Sequence, residues 1–193
     1  MNKQSNTEAR EYVAGLIERA RRAQKVANSY SQEFVDKLIT AVCWNIVKDG
    51  PAQEIAKLAV EESRMGTYEA KYAKLMVKLR GALRDMKGQK SVGIIERDDE
   101  KGIVKIAKPV GVVGAIVPCT NPEATPVLKA MMAIKTRNAV IFAPHPRTKR
   151  TNTFIVNLMR KTLNRYGVPE DLLIPIEEPT MDISNELMRQ CDL

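Results

Sequence analysis

At 193 residues, with 44% hydrophobic and 28% charged residues, the chain has the composition of a soluble globular protein with room for one substantial core. No apolar run approaches the roughly 20 residues that cross a bilayer, and the charged opening MNKQSNTEAREYVAGLIERARR lacks the apolar stretch and cleavage site of a secretory signal. No membrane span and a cytoplasmic location are therefore expected. Cys43, Cys119 and Cys191 are widely separated and form no CxxC or Cys/His cluster, which argues against a disulfide framework or zinc site and fits a reducing compartment.

The first half has a helical grammar. In residues 8–27 the apolar side chains Tyr12, Val13, Leu16, Ile17, Ala20 and Ala23 share one helix face, and Asn6 or Thr7 could cap its start. After Ser31, the spacing of Phe34, Val35, Leu38, Ile39, Val42, Cys43, Ile46 and Val47 predicts a second helix ended by Gly50, with Cys43 a core thiol. Pro51 suits the first turn of a third helix through Val60, and Gly66 its end. A fourth helix over residues 68–86 uses Tyr72, Leu75, Met76, Leu79 and Leu83.

At Ser91 the period shortens. Two β-branched runs, residues 92–95 and 103–106, flank the charged turn 97–102 and read as a β-hairpin. There follow an apolar run at 110–117, a helix at 124–134, a second run at 139–142, a helix at 151–166 stopped by Gly167, and a third run at 172–176. Thr180 suits the cap of a last helix through Met188. This alternation predicts an α/β fold: amino-terminal helices, a hairpin, then an incomplete Rossmann-like sheet of parallel βαβ units with right-handed crossovers. A sheet of only three parallel strands leaves an open edge, which predicts association or aggregation.

The net charge of +8 raises the question of an anionic partner. Arg19, Arg21, Arg22 and Lys25, then Lys74, Lys78, Arg80 and Arg84, interleave with apolar positions in helical segments and read as solvated surface. Only Arg147, Lys149 and Arg150 follow a loop that could face a phosphate. With few aromatic residues among them, nucleic acid is not an expected partner.

In an open parallel sheet, ligands bind beyond the carboxyl ends of strands. Two loops qualify: Pro118, Cys119, Thr120, Asn121 and Pro122 after the first run, and Ala143, Pro144, His145, Pro146 and Arg147 after the second. Prolines fix the backbone, while Thr, Asn, His and Arg supply donors for phosphate, ribose or a developing oxyanion. Gly111 and Gly114 do not make a GxGxxG fingerprint, and glycines entering a strand can simply permit close packing.

The segments KPVGVVGAIVPCTNP and KTRNAVIFAPHP resemble the cofactor domain of CoA-acylating aldehyde dehydrogenases. Similarity extends through RAQKVANSYSQEFVDKL, KLAVEESRMG, ERDDEKGIVKIAKP and GVPEDLLIPIEEPTMDISNELM, in the manner of the aldehyde dehydrogenase half of bifunctional aldehyde-alcohol dehydrogenases and of acylating sulfoacetaldehyde dehydrogenases. The resemblance implies residues 1–90 as a helical segment packing on the cofactor domain, 91–108 as a hairpin of the oligomerisation region, and 109–193 as the first half of an NAD(P)-binding domain.

It further implies a reaction in which an aldehyde and CoA are converted to acyl-CoA as NAD or NADP is reduced, through a catalytic cysteine in a separate domain. That domain is absent from these residues, so the chain alone is expected to be an inactive amino-terminal fragment. The alternative is a non-catalytic nucleotide-binding or subunit-assembly module, forming homo-oligomers or joining full-length subunits. Val117, Pro118, Cys119, Thr120, Pro144, His145 and Pro146 are the expected cofactor-binding positions, and Thr120 and Asn121 the candidate oxyanion donors. His145 is open between a nucleotide contact and a turn histidine. A nucleophilic role for Cys119 paired with His145 is conceivable; the resemblance puts Cys119 in a cofactor wall instead. A Lys and Glu that hold the adenosine ribose in other aldehyde dehydrogenases are replaced by Ala143 and Pro146.

Overall fold

In a computed structural model, residues 3–193 are described, with side chains from Thr7 onward. Four helices open the chain: α1 (Lys3–Ala27), α2 (Gln32–Val47), α3 (Pro51–Ser63) and α4 (Tyr68–Met86). Because α1 begins at Lys3, Asn6 and Thr7 lie inside it and neither is its cap. Ser31 and Thr67 do cap α2 and α4, accepting from the backbone N–H of Phe34 and Ala70. The third helix runs past Val60 and is ended by Arg64 in the left-handed region, φ 54°, two residues before the glycine expected to stop it.

The hairpin comprises β1 (Gly93–Asp98) and β2 (Ile103–Ala107), antiparallel, with a register shift between Ile94 and Glu96. Its strands extend further into the charged segment than expected, so Arg97 and Asp98 belong to β1. Parallel strands β3 (Val112–Val117), β4 (Ala139–Pro144) and β5 (Leu173–Pro175) lie in the order β3-β4-β5. Helix α5 (Thr125–Lys135) joins β3 to β4, α6 (Lys149–Arg165) joins β4 to β5, and α7 (Met181–Gln190) follows β5. The expected α/β class is thus observed.

Helices α1 and α7 pack together on one face of the sheet, whereas α5 and α6 cover the other and carry α2 on their outer side. All six residues of β4 are buried, as a central parallel strand with both faces covered requires. Buried side chains from all seven helices and the three parallel strands join one core. Cys43 belongs to it, and burial pushes its thiol up to about 11, leaving it without nucleophilic character near neutral pH.

After α7 the chain returns to β3. The Asp192 N–H donates to the Val112 carbonyl and the Gly114 N–H to the Leu193 carbonyl, on the side of β3 away from β4. The outer edge of β3 is therefore engaged at these two positions. Space for this approach comes from glycine. A Cβ on Gly111, φ 128°, would sit 2.2 Å from Asp192 Oδ2, and one on Gly114 would sit 2.9 Å from Cys191 Sγ and 3.1 Å from Leu187 Cγ. Close packing is what these two glycines provide.

Ion pairs fasten α1 to this frame. Arg21 meets Asp192 at 2.8 Å, and Arg19 grips Asp171 through two hydrogen bonds of 2.7 and 3.1 Å. The hydrogen bond from Arg19 holds the Asp171 carboxyl below the usual carboxylate range. A depressed folded-state pKa gives stability that is present above the unfolded value of about 3.9 and is lost as pH falls through the lower folded value. Urea midpoints for the chain and for Arg19→Ala should therefore differ at pH 7 and converge below about pH 4; a gap that persists at pH 2.5 would count against this ion pair as its source. Gly114→Ala should lose about 1–3 kcal/mol by overpacking, with part recovered when Cys191→Ala removes the Sγ. Equal stability of Gly114→Ala and the parent in urea would contradict the packing argument.

Candidate functional site

The loops after β3 and β4 emerge side by side, because Val117 pairs in register with Pro144. The His145 N–H donates to the Val117 carbonyl at 2.9 Å and ties the two loops together. Val117 and Pro144 are buried beneath, while Pro118, Thr120, His145 and Pro146 are exposed and Cys119 and Asn121 half-buried. The expected site residues are thus gathered at one edge of the sheet.

Beneath the first loop is a charged cluster. Glu123, fully buried, receives Lys71 Nζ at 3.2 Å on Oε2 and Lys74 Nζ at 3.1 Å on Oε1. Lys71, also buried, donates to the Thr120 carbonyl at 2.6 Å, and Lys74 donates to Asn121 Oδ1 at 2.6 Å. Two lysines one helical turn apart on α4 therefore clamp the loop from within. Lys74, expected on a solvated face, is instead a partner of a buried carboxylate. Neither lysine nor Glu123 stood out in the sequence; the available signal was an acidic residue within a proline-rich turn between a buried strand and a helix.

Asn121 Oδ1 faces an ammonium, and its Nδ2 donates to Thr120 Oγ1 at 3.2 Å. The Thr120 hydroxyl accepts that bond and retains its own hydrogen for an outward partner. Asn121 is thus a tie within the loop, and Thr120 is the better-presented donor.

The second loop is held differently. His145 Nδ1 accepts the Arg147 N–H at 3.1 Å, as a turn histidine does, and among the described residues Nε2 makes no hydrogen bond. No hydrogen bond joins Cys119 to His145 among the described residues, so the conceivable Cys/His pair is not formed. Arg147, Lys149 and Arg150 are engaged within the chain: Arg147 with the Ser63 carbonyl at 2.8 Å, Lys149 with Glu178 at 2.5 Å, and Arg150 with Glu61 at 3.5 Å. Glu62 accepts from the Arg150 and Thr151 N–H groups and the Thr151 hydroxyl, filling the amino terminus of α6 with a carboxylate. An incoming phosphate would have to displace it.

Residues 4–193 match the aldehyde dehydrogenase family across almost the whole chain. The chain belongs to this family. It is 46% identical to the acylating sulfoacetaldehyde dehydrogenase of Bilophila wadsworthia over 181 residues, 94% of this chain and 39% of that protein. The fold superposes on an acetylating aldehyde dehydrogenase from Geobacillus thermoglucosidasius with a TM-score of 0.90 at 34% identity, covering 98% of this chain and 41% of the other. A propionaldehyde dehydrogenase from Rhodopseudomonas palustris with bound propionyl-CoA superposes at a TM-score of 0.74 and 28% identity, over 91% of this chain and 38% of its own. An engineered glycolyl-CoA reductase with bound NADP+ does so at 0.75 and 27%, over 92% of this chain and 40% of its own. The chain therefore spans about two fifths of the length of these relatives.

Glu123→Gln leaves the buried Lys71 ammonium without its counter-charge. A loss of about 3 kcal/mol in urea unfolding is expected, and Lys71→Met combined with Glu123→Gln should cost less than the two changes summed. Additive losses would show that the pair is not coupled.

Proposed function

We propose that the chain forms the first half of the nucleotide cleft of an NAD(P)-dependent, CoA-acylating aldehyde dehydrogenase. The observation that carries this reading is the pair of proline-braced loops at the carboxyl ends of β3 and β4, joined by the bond from His145 to Val117. The reaction is aldehyde, CoA and oxidised nicotinamide cofactor going to acyl-CoA, reduced cofactor and a proton. The cofactor would supply the hydride acceptor. Val117, Pro118, Cys119 and Thr120 form one wall of its site, and Pro144, His145 and Pro146 the other, with His145 Nε2 facing outward to a ligand.

Within this reading Thr120 donates its hydroxyl hydrogen to the oxygen that gains charge during acyl transfer, and Asn121 and Lys74 orient it. None of the three cysteines suits a nucleophile: Cys43 is a buried thiol of raised pKa, Cys191 lies against Gly114, and Cys119 is unpaired with His145. These residues alone are therefore inactive. Residues 1–90 act as the helical support of the nucleotide domain in 109–193, and 91–108 as an assembly hairpin in a cytoplasmic homo-oligomer.

One observation favours the assembly role. Ile94, Ile95, Ile103, Val104 and Ile106 of the hairpin are all exposed, and a two-stranded ribbon has little stability in water without a surface to cover such residues.

Addition of NAD+ to the isotopically labelled chain should shift the amide resonances of residues 117–121 and 144–148 most. Shifts concentrated elsewhere would reject the site. Steady CoA-dependent NADH formation from short aldehydes by the 193-residue chain would reject its inactivity.

A further inference from the structure

A second feature lies far from the strand ends. Helices α2 and α4 pack side by side and leave a groove of about 960 Å³, lined also by Tyr166 at the carboxyl end of α6. Its floor and walls are apolar: Ile39, Ala41, Trp44 and Leu83, with Tyr166. Trp44 is the chain's single tryptophan and is 65% exposed, an unusual place for the largest apolar side chain. The walls run from Asp36 to Trp44 on α2 and from Arg80 to Gly88 along and just beyond α4. Each wall is about 12 Å long, two helical turns.

The rim is predominantly basic. Lys37, Arg80, Arg84 and Lys87 border the groove. Among the described residues, no ion pair holds Lys37, Arg80 or Lys87; Lys37 lies 5.5 Å over the Tyr166 ring, and Arg84 meets only the exposed Asp85 at 3.5 Å. The single acid on the rim, Asp36, is already neutralised by the buried Lys135. Hence an apolar trough is bordered by positive charge that, at Lys37, Arg80 and Lys87, no ion pair among the described residues compensates.

We infer that this groove docks an acidic amphipathic helix of a partner protein, its apolar stripe on Trp44 and Leu83 and its carboxylates on Lys37, Arg80, Arg84 and Lys87. The choice of occupant follows from the walls. The flanks of α2 and α4 use their backbone N–H groups internally and offer none to a phosphate or a base edge, in contrast to the loops and helix ends that hold nucleotides. What they present is an apolar seam and long cationic side chains, the complement of a helix bearing apolar residues at i, i+3 or i+4 and i+7 with flanking Glu. A second copy of this chain is a poor match, since its own net charge is +8.

A synthetic helix of roughly 14 residues, four turns, with Leu on one face and Glu on both flanks, serves as the probe. It is titrated into the 193-residue chain by fluorescence anisotropy while Trp44 emission is recorded. Saturable binding with a blue shift of Trp44 is expected, weakened about tenfold or more by raised salt, by Arg80→Glu with Arg84→Glu, by a scrambled peptide of the same composition, and by a Lys-for-Glu peptide. Lys37→Glu, on the other wall, should weaken binding in the same direction, with circular dichroism confirming that each variant is folded. Equal affinity for ordered and scrambled peptides, or an unmoved Trp44 emission, overturns the proposal. So does displacement of the peptide by ADP, which would make the groove a nucleotide site. A blue shift produced by raising the concentration of the chain alone would assign it to a second copy and overturn it as well.

Discussion

A carboxylate with no solvent exposure sits between two ammonium groups under the loop that follows β3, and the candidate site depends on that arrangement. Moving an ion of this size out of water costs several kcal/mol even after relaxation, so Glu123 is tolerable only because Lys71 and Lys74 both reach it. The lysines have their own requirements. Lys71, with 3% exposure, satisfies part of its donor capacity on the Thr120 carbonyl, and Lys74 does so on Asn121. Net stabilisation from such a cluster is small, since attraction and desolvation largely cancel. Its effect is positional: the loop cannot shift without stranding a buried charge, which fixes where Thr120 and Asn121 stand relative to β4.

The second loop is fixed by a different principle, hydrogen bonding of the backbone and of one imidazole nitrogen. His145 uses its N–H on Val117 and its Nδ1 on Arg147, while Arg147 in turn reaches the Ser63 carbonyl at the end of α3. Both loops therefore lean on the amino-terminal helices, the first on α4 and the second on α3. All four of those helices share one continuous core with the parallel strands.

Much of this could be read in the sequence, and the exceptions have a common cause. Periodicity is a local signal, so the helices and strands were recoverable from Leu38, Ile39 and Val42 or from the run at Val140, Ile141 and Phe142. Boundaries moved where a local rule was overridden: Arg64 takes the left-handed conformation expected of a glycine, and Asn6 lies inside a helix that starts earlier. The loops at Thr120 and His145 were legible because Pro, Asn and His have local meaning in turns. Lys74 and Glu123 were not, because their pairing spans 49 residues and looks locally like one solvated lysine and one turn acid. The same limit applies to Glu62, whose task is to cap a helix that begins 87 residues later at Lys149.

The path of the chain after β5 explains why the loop at β3, of the two, needs the stronger anchor. From β3 the sheet grows in one direction, to β4 and then β5, with α5 and α6 on one face. Helix α7 lies on the opposite face with α1 and brings the chain back to the other side of β3, where Asp192 and Leu193 bond to it. Strand β3 is therefore the outermost of the three, flanked on its far side by two backbone hydrogen bonds rather than by a strand. The loop that follows an outermost strand has a strand neighbour on one side alone. The clamp supplied from α4 by Lys71 and Lys74 gives support on the other side, holding the Thr120–Asn121 pair in place while Thr120 stays exposed.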